Sequence, residues 1–122
     1  MNIYVASSWK NARYPSIIRT LREAGHSVFD FRNPHGSPSV EFEADFAGSC
    51  DYKAFLSSDI AVKSFRTDYS AMSSVDACVL VLPSGRSSHI EAGWFIGRDK
   101  PWADSSVKCN NKFMCYLCPV LV

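Results

Sequence analysis

Ala77-Cys-Val-Leu-Val-Leu82, closed by Pro83 and followed by Ser84-Gly85-Arg86-Ser-Ser-His-Ile-Glu-Ala-Gly-Trp94, is the stretch on which the fold turns. An unbroken apolar run leaves no polar face, and a parallel strand covered on both sides requires such a run. Pro83 stops the strand and Ser84-Gly85-Arg86 makes the turn. Ser87 or Ser88 is placed to cap a helix that runs through Ile90, Ala92, Phe95 and Ile96, with Gly97 at its end. A buried strand feeding directly into a helix is one half of a crossover unit.

The other half stands at the beginning of the chain. Asn2–Ala6 reads as a short buried strand, followed by the polar turn Ser7-Ser8-Trp9-Lys10-Asn11. From Tyr14 to Ala24 the apolar residues Ile17, Ile18, Leu21 and Ala24 recur at helical spacing, and Gly25 closes the helix. His26–Phe31 resumes a strand. The order strand, helix, glycine, strand predicts two parallel neighbours joined by a right-handed crossover. Asn33 to Ser39 contains two prolines and a glycine and predicts a loop leaving the carboxyl end of the second strand. Glu41 to Lys63 predicts an irregular helical cover with short helices at Asp51–Ser57 and Ile60–Phe65. Thr67–Val75 predicts a further helix leading to Asp76. Beyond Lys100-Pro101 the chain is polar from Ala103 to Lys112, so the next strand signals are Phe113–Cys118 and Val120–Val122. Pro119 makes the last of these an edge strand or no strand. Together these elements predict one α/β domain over residues 1–122, a three-layer sandwich with a parallel sheet of four to five strands and helices on both faces.

With 122 residues, 47% hydrophobic and 20% charged, the chain has the make-up of an ordinary globular domain large enough to need no staple. A formal net charge of +1 gives no general attraction to a nucleic-acid polymer, while a small anion needs local charge only. No apolar run approaches the roughly 20 residues that cross a bilayer. The first residues lack the zones of a secretory leader, which predicts a cytoplasmic protein with no membrane partner. Five cysteines without framework spacing fit reduced thiols. Cys115-Tyr-Leu-Cys118 has CxxC form with no second pair or histidine after it, so packing is favoured over a zinc or redox role. No His, Cys, Asp and Glu grouping has metal-ligand spacing, and neither metal nor organic cofactor is expected.

Three places carry possible chemistry, all at the carboxyl ends of predicted strands, where ligands bind in open α/β sheets. The first is Tyr4 with the loop Ser7–Arg13. Ser7, Ser8, exposed N–H groups, Lys10 and Arg13 suit a phosphate or sugar hydroxyl; the competing reading is a capped turn with solvated cations. The second is Asp68, whose plain reading is a helix N-cap or dipole partner. Asp76 is expected to tie down the turn into the strand. The third is Glu91, read as a first-turn residue. It either favours the helix dipole or serves a ligand that approaches over Gly85, Ser87, Ser88, Ala92 and Gly93, with Trp94 and Phe95 as an apolar wall that raises its pKa. His89 lies two positions from Glu91, does not share its direction, and is expected to face solvent or a partner subunit.

Ile3-Tyr-Val-Ala-Ser-Ser-Trp-Lys-Asn11, the Asp68 to Asp76 spacing, Cys78-Val-Leu-Val-Leu-Pro83 and Gly85–Trp94, taken in order, resemble the nucleoside 2-deoxyribosyltransferase family. The related 2′-deoxynucleoside 5′-phosphate N-hydrolases share the outline. The resemblance spans about residues 1–101, and the ordered combination is what makes it specific. It implies a flavodoxin-like, Rossmann-like sheet of order 2-1-3-4-5. It also implies that Glu91 is the nucleophile at C1′, that Asp68 protonates the leaving base and later activates the acceptor, and that Tyr4 lies by the sugar and nucleophile. Ser7, Ser8, Trp9, Lys10, Asn33, Gly85, Arg86, Ser87 and Ser88 become substrate-binding candidates, with Lys10, Arg86, Ser87 and Ser88 placed for a 5′-phosphate as in the hydrolases.

The transferases take C-terminal residues from a neighbouring subunit, which implies a homo-oligomer. This chain departs from that pattern in Ala103–Lys112 and its short tail, where Asn110, Asn111 and Met114 are the available candidates. The expected activity is therefore deoxyribosyl transfer between bases of deoxynucleosides. Hydrolysis of deoxynucleoside 5′-monophosphates stands second, and a non-catalytic nucleotide sensor is the competing class.

Overall fold

The computed structural model describes residues 1–34 and 51–105. The end of the Asn33–Ser39 loop, the first part of the Glu41–Lys63 cover, the CxxC segment, the two C-terminal strand candidates and Asn110, Asn111 and Met114 lie outside the described residues.

The chain forms β1 (Asn2–Ser7), α1 (Tyr14–Glu23), β2 (Ser27–Phe29), α2 (Tyr52–Leu56), α3 (Asp59–Ser74), β3 (Ala77–Val81), α4 (Arg86–Ile96) and β4 (Trp102–Asp104). The four strands make one sheet of order β2-β1-β3-β4, and every pairing is parallel. The protein is thus an α/β protein of Rossmann-like build. In the centre Ile3 to Ser7 pair in register with Ala77 to Val81.

That register decides the two cores, because successive strand residues point to opposite faces. Ile3 and Val5 with Val79 and Val81 meet Tyr14, Ile17, Ile18 and Leu21 of α1 on one face. Tyr4 and Ala6 with Cys78 and Leu80 meet Met72 and Val75 at the end of α3 and Ala92 and Phe95 of α4 on the other. All five residues of β3 are buried, as its apolar run requires.

Helix α1 buries positions i, i+3, i+4 and i+7 and carries Pro15 in its first turn, where no N–H is needed. Its end is a paired closure: His26 N–H donates to Leu21 O, Gly25 N–H donates to Arg22 O, and Gly25 takes a left-handed φ of 87°. A glycine adopts that conformation without Cβ strain.

Three expectations change. First, the segments read as separate helices at Ile60–Phe65 and Thr67–Val75 are one continuous α3, capped by the Ser58 hydroxyl accepting from Ala61 N–H. Asp68 therefore lies in the middle of a helix, and its reading as an N-cap is overturned. Second, α4 starts at Arg86 with Gly85 as N-cap and no side-chain cap bond, so neither Ser87 nor Ser88 caps it. Glu91 falls in the second turn rather than the first, beyond the strongest reach of the helix dipole. Helix α4 does end at Gly97, as expected, and the left-handed residue beyond it is Asp99, at φ 53°. Lys100 N–H then reaches Phe95 O and Asp99 N–H reaches Ile96 O. Third, a strand does follow Pro101 directly. β4 was hidden because it contributes one buried side chain, Ala103; its place is set by backbone pairing to Cys78, Val79 and Leu80.

Candidate active site

Tyr4 enters the site from the middle of β1. Its ring is almost wholly buried, stacked on Phe29 of β2 at 5.6 Å and tilted against Phe95 of α4 at 5.9 Å. Its hydroxyl lies close enough to the Glu91 carboxylate to favour the charged form of that group. Cys78, beside Tyr4 on β3, points to the same face and feels the Glu91 charge. Asp68 approaches from α3, close enough that its charge acts on both Glu91 and Tyr4. Four elements thus converge: β1 and β3 supply the floor, and α3 and α4 each supply one carboxyl group.

The electrostatics follow from burial. Glu91 is pushed up to about 7, first by desolvation and then by the Asp68 charge, while the Tyr4 hydroxyl pulls the other way. Desolvation alone pushes Asp68 up to about 6. The Tyr4 hydroxyl is raised far above its ordinary value by burial and both carboxylates, so it remains a donor. Burial and the Glu91 charge push the Cys78 thiol up to about 12, which keeps it protonated and unreactive. Near neutrality the two carboxyl groups share about one proton. Repulsion between the two carboxylates is mutual, so the proton belongs to the pair. A neighbouring pair that holds one proton can supply an acid and a nucleophile at once, which is its chemical use.

The structure gathers Tyr4, Asp68 and Glu91 into one cluster. Several of the remaining candidates hold other contacts, and others are exposed. The Ser7 hydroxyl is buried and donates to Val81 O at 2.9 Å, joining the ends of β1 and β3. The Ser8 hydroxyl accepts from Lys10 N–H, and Trp9 packs edge-on against Phe31 at 5.3 Å. Lys10, Gly85, Arg86 and Ser87 are exposed, whereas Ser88 is buried. Asn33 donates to Asp30 Oδ2 and lines a groove of about 320 Å³ beside α1. A second groove, about 500 Å³, runs along α3 past Lys63 and Arg66. Neither contains Tyr4, Asp68 or Glu91, so the site is identified by its paired half-buried acids rather than by the hollows. Trp94 packs with Tyr69, Phe95 and Arg98. His89 is exposed and its Nδ1 lies 2.8 Å from Gly85 O, away from the carboxylates in role. Asp76 Oδ2 accepts from Asn2 N–H at 2.8 Å and so ties the entry of β3 to β1.

Sequence reasoning passed over two loop anchors. Asn11, buried in the polar turn, donates from Nδ2 to Val81 O and Pro83 O and accepts Arg13 N–H on Oδ1. Arg32 donates to Ser8 O and Asn11 O and lies over the Tyr14 ring at 4.4 Å. Asn11 carried a signal, as an asparagine just before a helix; Arg32 carried none, since its partners lie more than twenty residues away. Among the described residues no group of three His, Cys, Asp or Glu side chains is arranged to hold a metal. No helix among them is long and apolar enough to cross a membrane.

The fold and site define a parallel α/β protein with a tyrosine-braced carboxyl pair on one covered face. No protein-family model matches the chain, and no curated protein matches its sequence.

Proposed function

We propose that the protein cleaves the N-glycosidic bond of 2′-deoxynucleosides and transfers the deoxyribosyl group to an acceptor base through a covalent Glu91 intermediate. The observation that carries this reading is the Glu91–Asp68 pair, both carboxyls raised by burial, with the Tyr4 hydroxyl favouring the charged form of Glu91. Retaining glycosidic chemistry needs two carboxyl groups, one as nucleophile and one as acid and base.

In the first step a Glu91 oxygen bonds to C1′ while the C1′–N bond breaks. The electron pair goes to the base nitrogen, which takes the proton from Asp68. In the second step the acceptor base gives its proton to Asp68, its nitrogen bonds to C1′, and the C1′–O bond returns its electrons to Glu91. For this the shared proton must move to Asp68 when substrate binds, and the Tyr4 hydroxyl favours that by stabilising a charged Glu91. The oxocarbenium character of the transition state adds a positive charge beside the same carboxylate. Neither step calls on a cofactor.

The resemblance in sequence supports the same reading and extends it to a flavodoxin-like sheet whose fifth strand comes from the C-terminal segment, in a homo-oligomer. Hydrolysis of deoxynucleoside 5′-monophosphates is the second reading, favoured by the exposed Lys10 and Arg86 at the strand rim. Incubation with a deoxynucleoside, a deoxynucleoside monophosphate and a free second base separates the outcomes. Exchanged nucleoside supports transfer, and free base from the monophosphate alone supports hydrolysis. Binding without turnover overturns both in favour of a sensor.

A further inference from the structure

The two carboxyl groups reside on different helices, so their separation depends on how α3 and α4 are held together. Among the described residues one side chain bonds to the end of the first and lies against the second. Lys100, just beyond α4, directs Nζ at the carboxyl end of α3. It donates to Val75 O at 2.6 Å, to Ser73 O at 3.3 Å and to Met72 O at 3.4 Å. These are carbonyls that a helix end leaves without intrahelical partners, and a cation there also meets the negative end of the helix dipole. The same ammonium group lies 5.6 Å from the centre of the Trp94 ring and 5.8 Å from that of Phe95, both on α4.

The seam next to it is aromatic. Trp94 meets Tyr69 of α3 edge-on at 6.1 Å, and Tyr69 is the neighbour of Asp68. Phe95 is completely buried and packs against Tyr4, whose hydroxyl favours the charged form of Glu91. A continuous packed path therefore joins Lys100 to both carboxyl-bearing helices. Its own position is fixed in turn, because Lys100 N–H is held by Phe95 O in the closure of α4.

We propose that Lys100 is a positioning residue: it clamps the carboxyl end of α3 to α4 and so sets the separation of Asp68 and Glu91. The proposal rests on reading those two residues as the working pair. It assigns Lys100 no contact with substrate and no through-space electrostatic role. Burial accounts for Asp68, and burial, Asp68 and the Tyr4 hydroxyl account for Glu91. Among the described residues, the groups that act on Glu91 or feel its charge are Asp68 from α3, Tyr4 from β1 and Cys78 from β3.

The test follows the two side-chain carboxyl carbons by NMR across pH in the full 122-residue chain, with thermal melting of each variant alongside. Lys100→Met keeps the apolar stem and removes the donors. Loosening the clamp separates the acids and admits water, so the Glu91 titration moves down by about one pH unit and approaches that of Asp68. Lys100→Arg, which still donates to the carbonyls, restores the wild-type curves. Arg98→Met removes the other cation over Trp94, at 4.4 Å, without touching α3, and leaves both titrations in place. Should Lys100→Met not fold, Lys100→Leu, which likewise has no donor, carries the same measurement. Wild-type titrations in a folded Lys100→Met or Lys100→Leu protein overturn the clamp, and so does an equal displacement in Arg98→Met. Because the readout needs no turnover, absence of deoxyribosyl transfer in the wild type would refute the proposed activity and leave the clamp to be judged on the titrations.

Discussion

The hydroxyl of Tyr4, in the middle of β1, lies near enough to the carboxylate of Glu91 on α4 to favour its charged form. The pair spans the layer between sheet and helix, and the tyrosine ring is gripped by Phe29 and Phe95. A donor held this firmly selects the charged form of its acceptor, so Tyr4→Phe should remove a stabilising contact and leave the stacking intact. A hydrogen bond to a charged group contributes about 1.5–3 kcal/mol, so turnover is expected to fall roughly 10- to 100-fold with little change in melting temperature. Steady-state kinetics beside a thermal melt checks both halves. An unchanged rate would remove Tyr4 from the machinery.

The raised carboxyl pair predicts a bell-shaped dependence of turnover on pH. Below about 6 both acids hold protons and no nucleophile is available; above about 7 both are ionised and no acid remains. The optimum is therefore expected in the narrow range between them. Asp68→Asn should abolish the arm that reports the acid, and a profile flat from pH 5 to 8 would contradict the shared proton.

The same shift bears on stability. Glu91 binds its proton more tightly folded than unfolded, since its value rises from 4.5 to about 7. Stability is then greatest below the unfolded value and declines as pH climbs through that window. Glu91→Gln removes the ionisation, so the variant should be more stable than wild type above pH 7, by on the order of 1–2 kcal/mol, and nearly equal to it at pH 4.5. Urea unfolding of the pair at both pH values reads the difference. Greater stability of the wild type at pH 8 would show that Glu91 is not held in a desolvated place.

Asn11 ties the loop after β1 to the end of β3 through two carbonyls, at 3.1 and 3.0 Å. Truncation to Ala leaves both acceptors and the Arg13 N–H without that partner. The expected cost is about 2–3 kcal/mol, with α1 and the Ser7–Lys10 loop the first regions to gain hydrogen exchange. A loss below about 0.5 kcal/mol would mean that solvent replaces the side chain without penalty.

Much of this architecture was legible before any coordinates. The apolar run Ala77–Leu82, the spacing of Ile17, Ile18 and Leu21, and Gly25 each express a local rule, and each element formed within about two residues of its expected limits. Helix α3 was misjudged because its apolar face is weak: only Ala61 and Met72 are buried along it, while Phe65 is largely exposed, so the pattern looked broken. β4 escaped because a short strand pairing through its backbone needs almost no hydrophobic signal. The serines at α4 looked like caps from composition alone, but the chain enters that helix through Gly85.

For the site, the residue types at positions 4, 68 and 91 drew attention by their chemistry and their resemblance, and nothing local could show that they meet. Sequence by itself determined a parallel α/β build, the strand that anchors it and the acids worth examining, because these depend on periodicity and on neighbours in the chain. Tertiary structure alone decided that Tyr4 lies beside Glu91, that Asp68 stands mid-helix instead of at a cap, and that both acids are desolvated. Those facts depend on the Ile3–Ala77 register and on the packing of α3 against α4, which bring together residues from about twenty to about ninety positions apart.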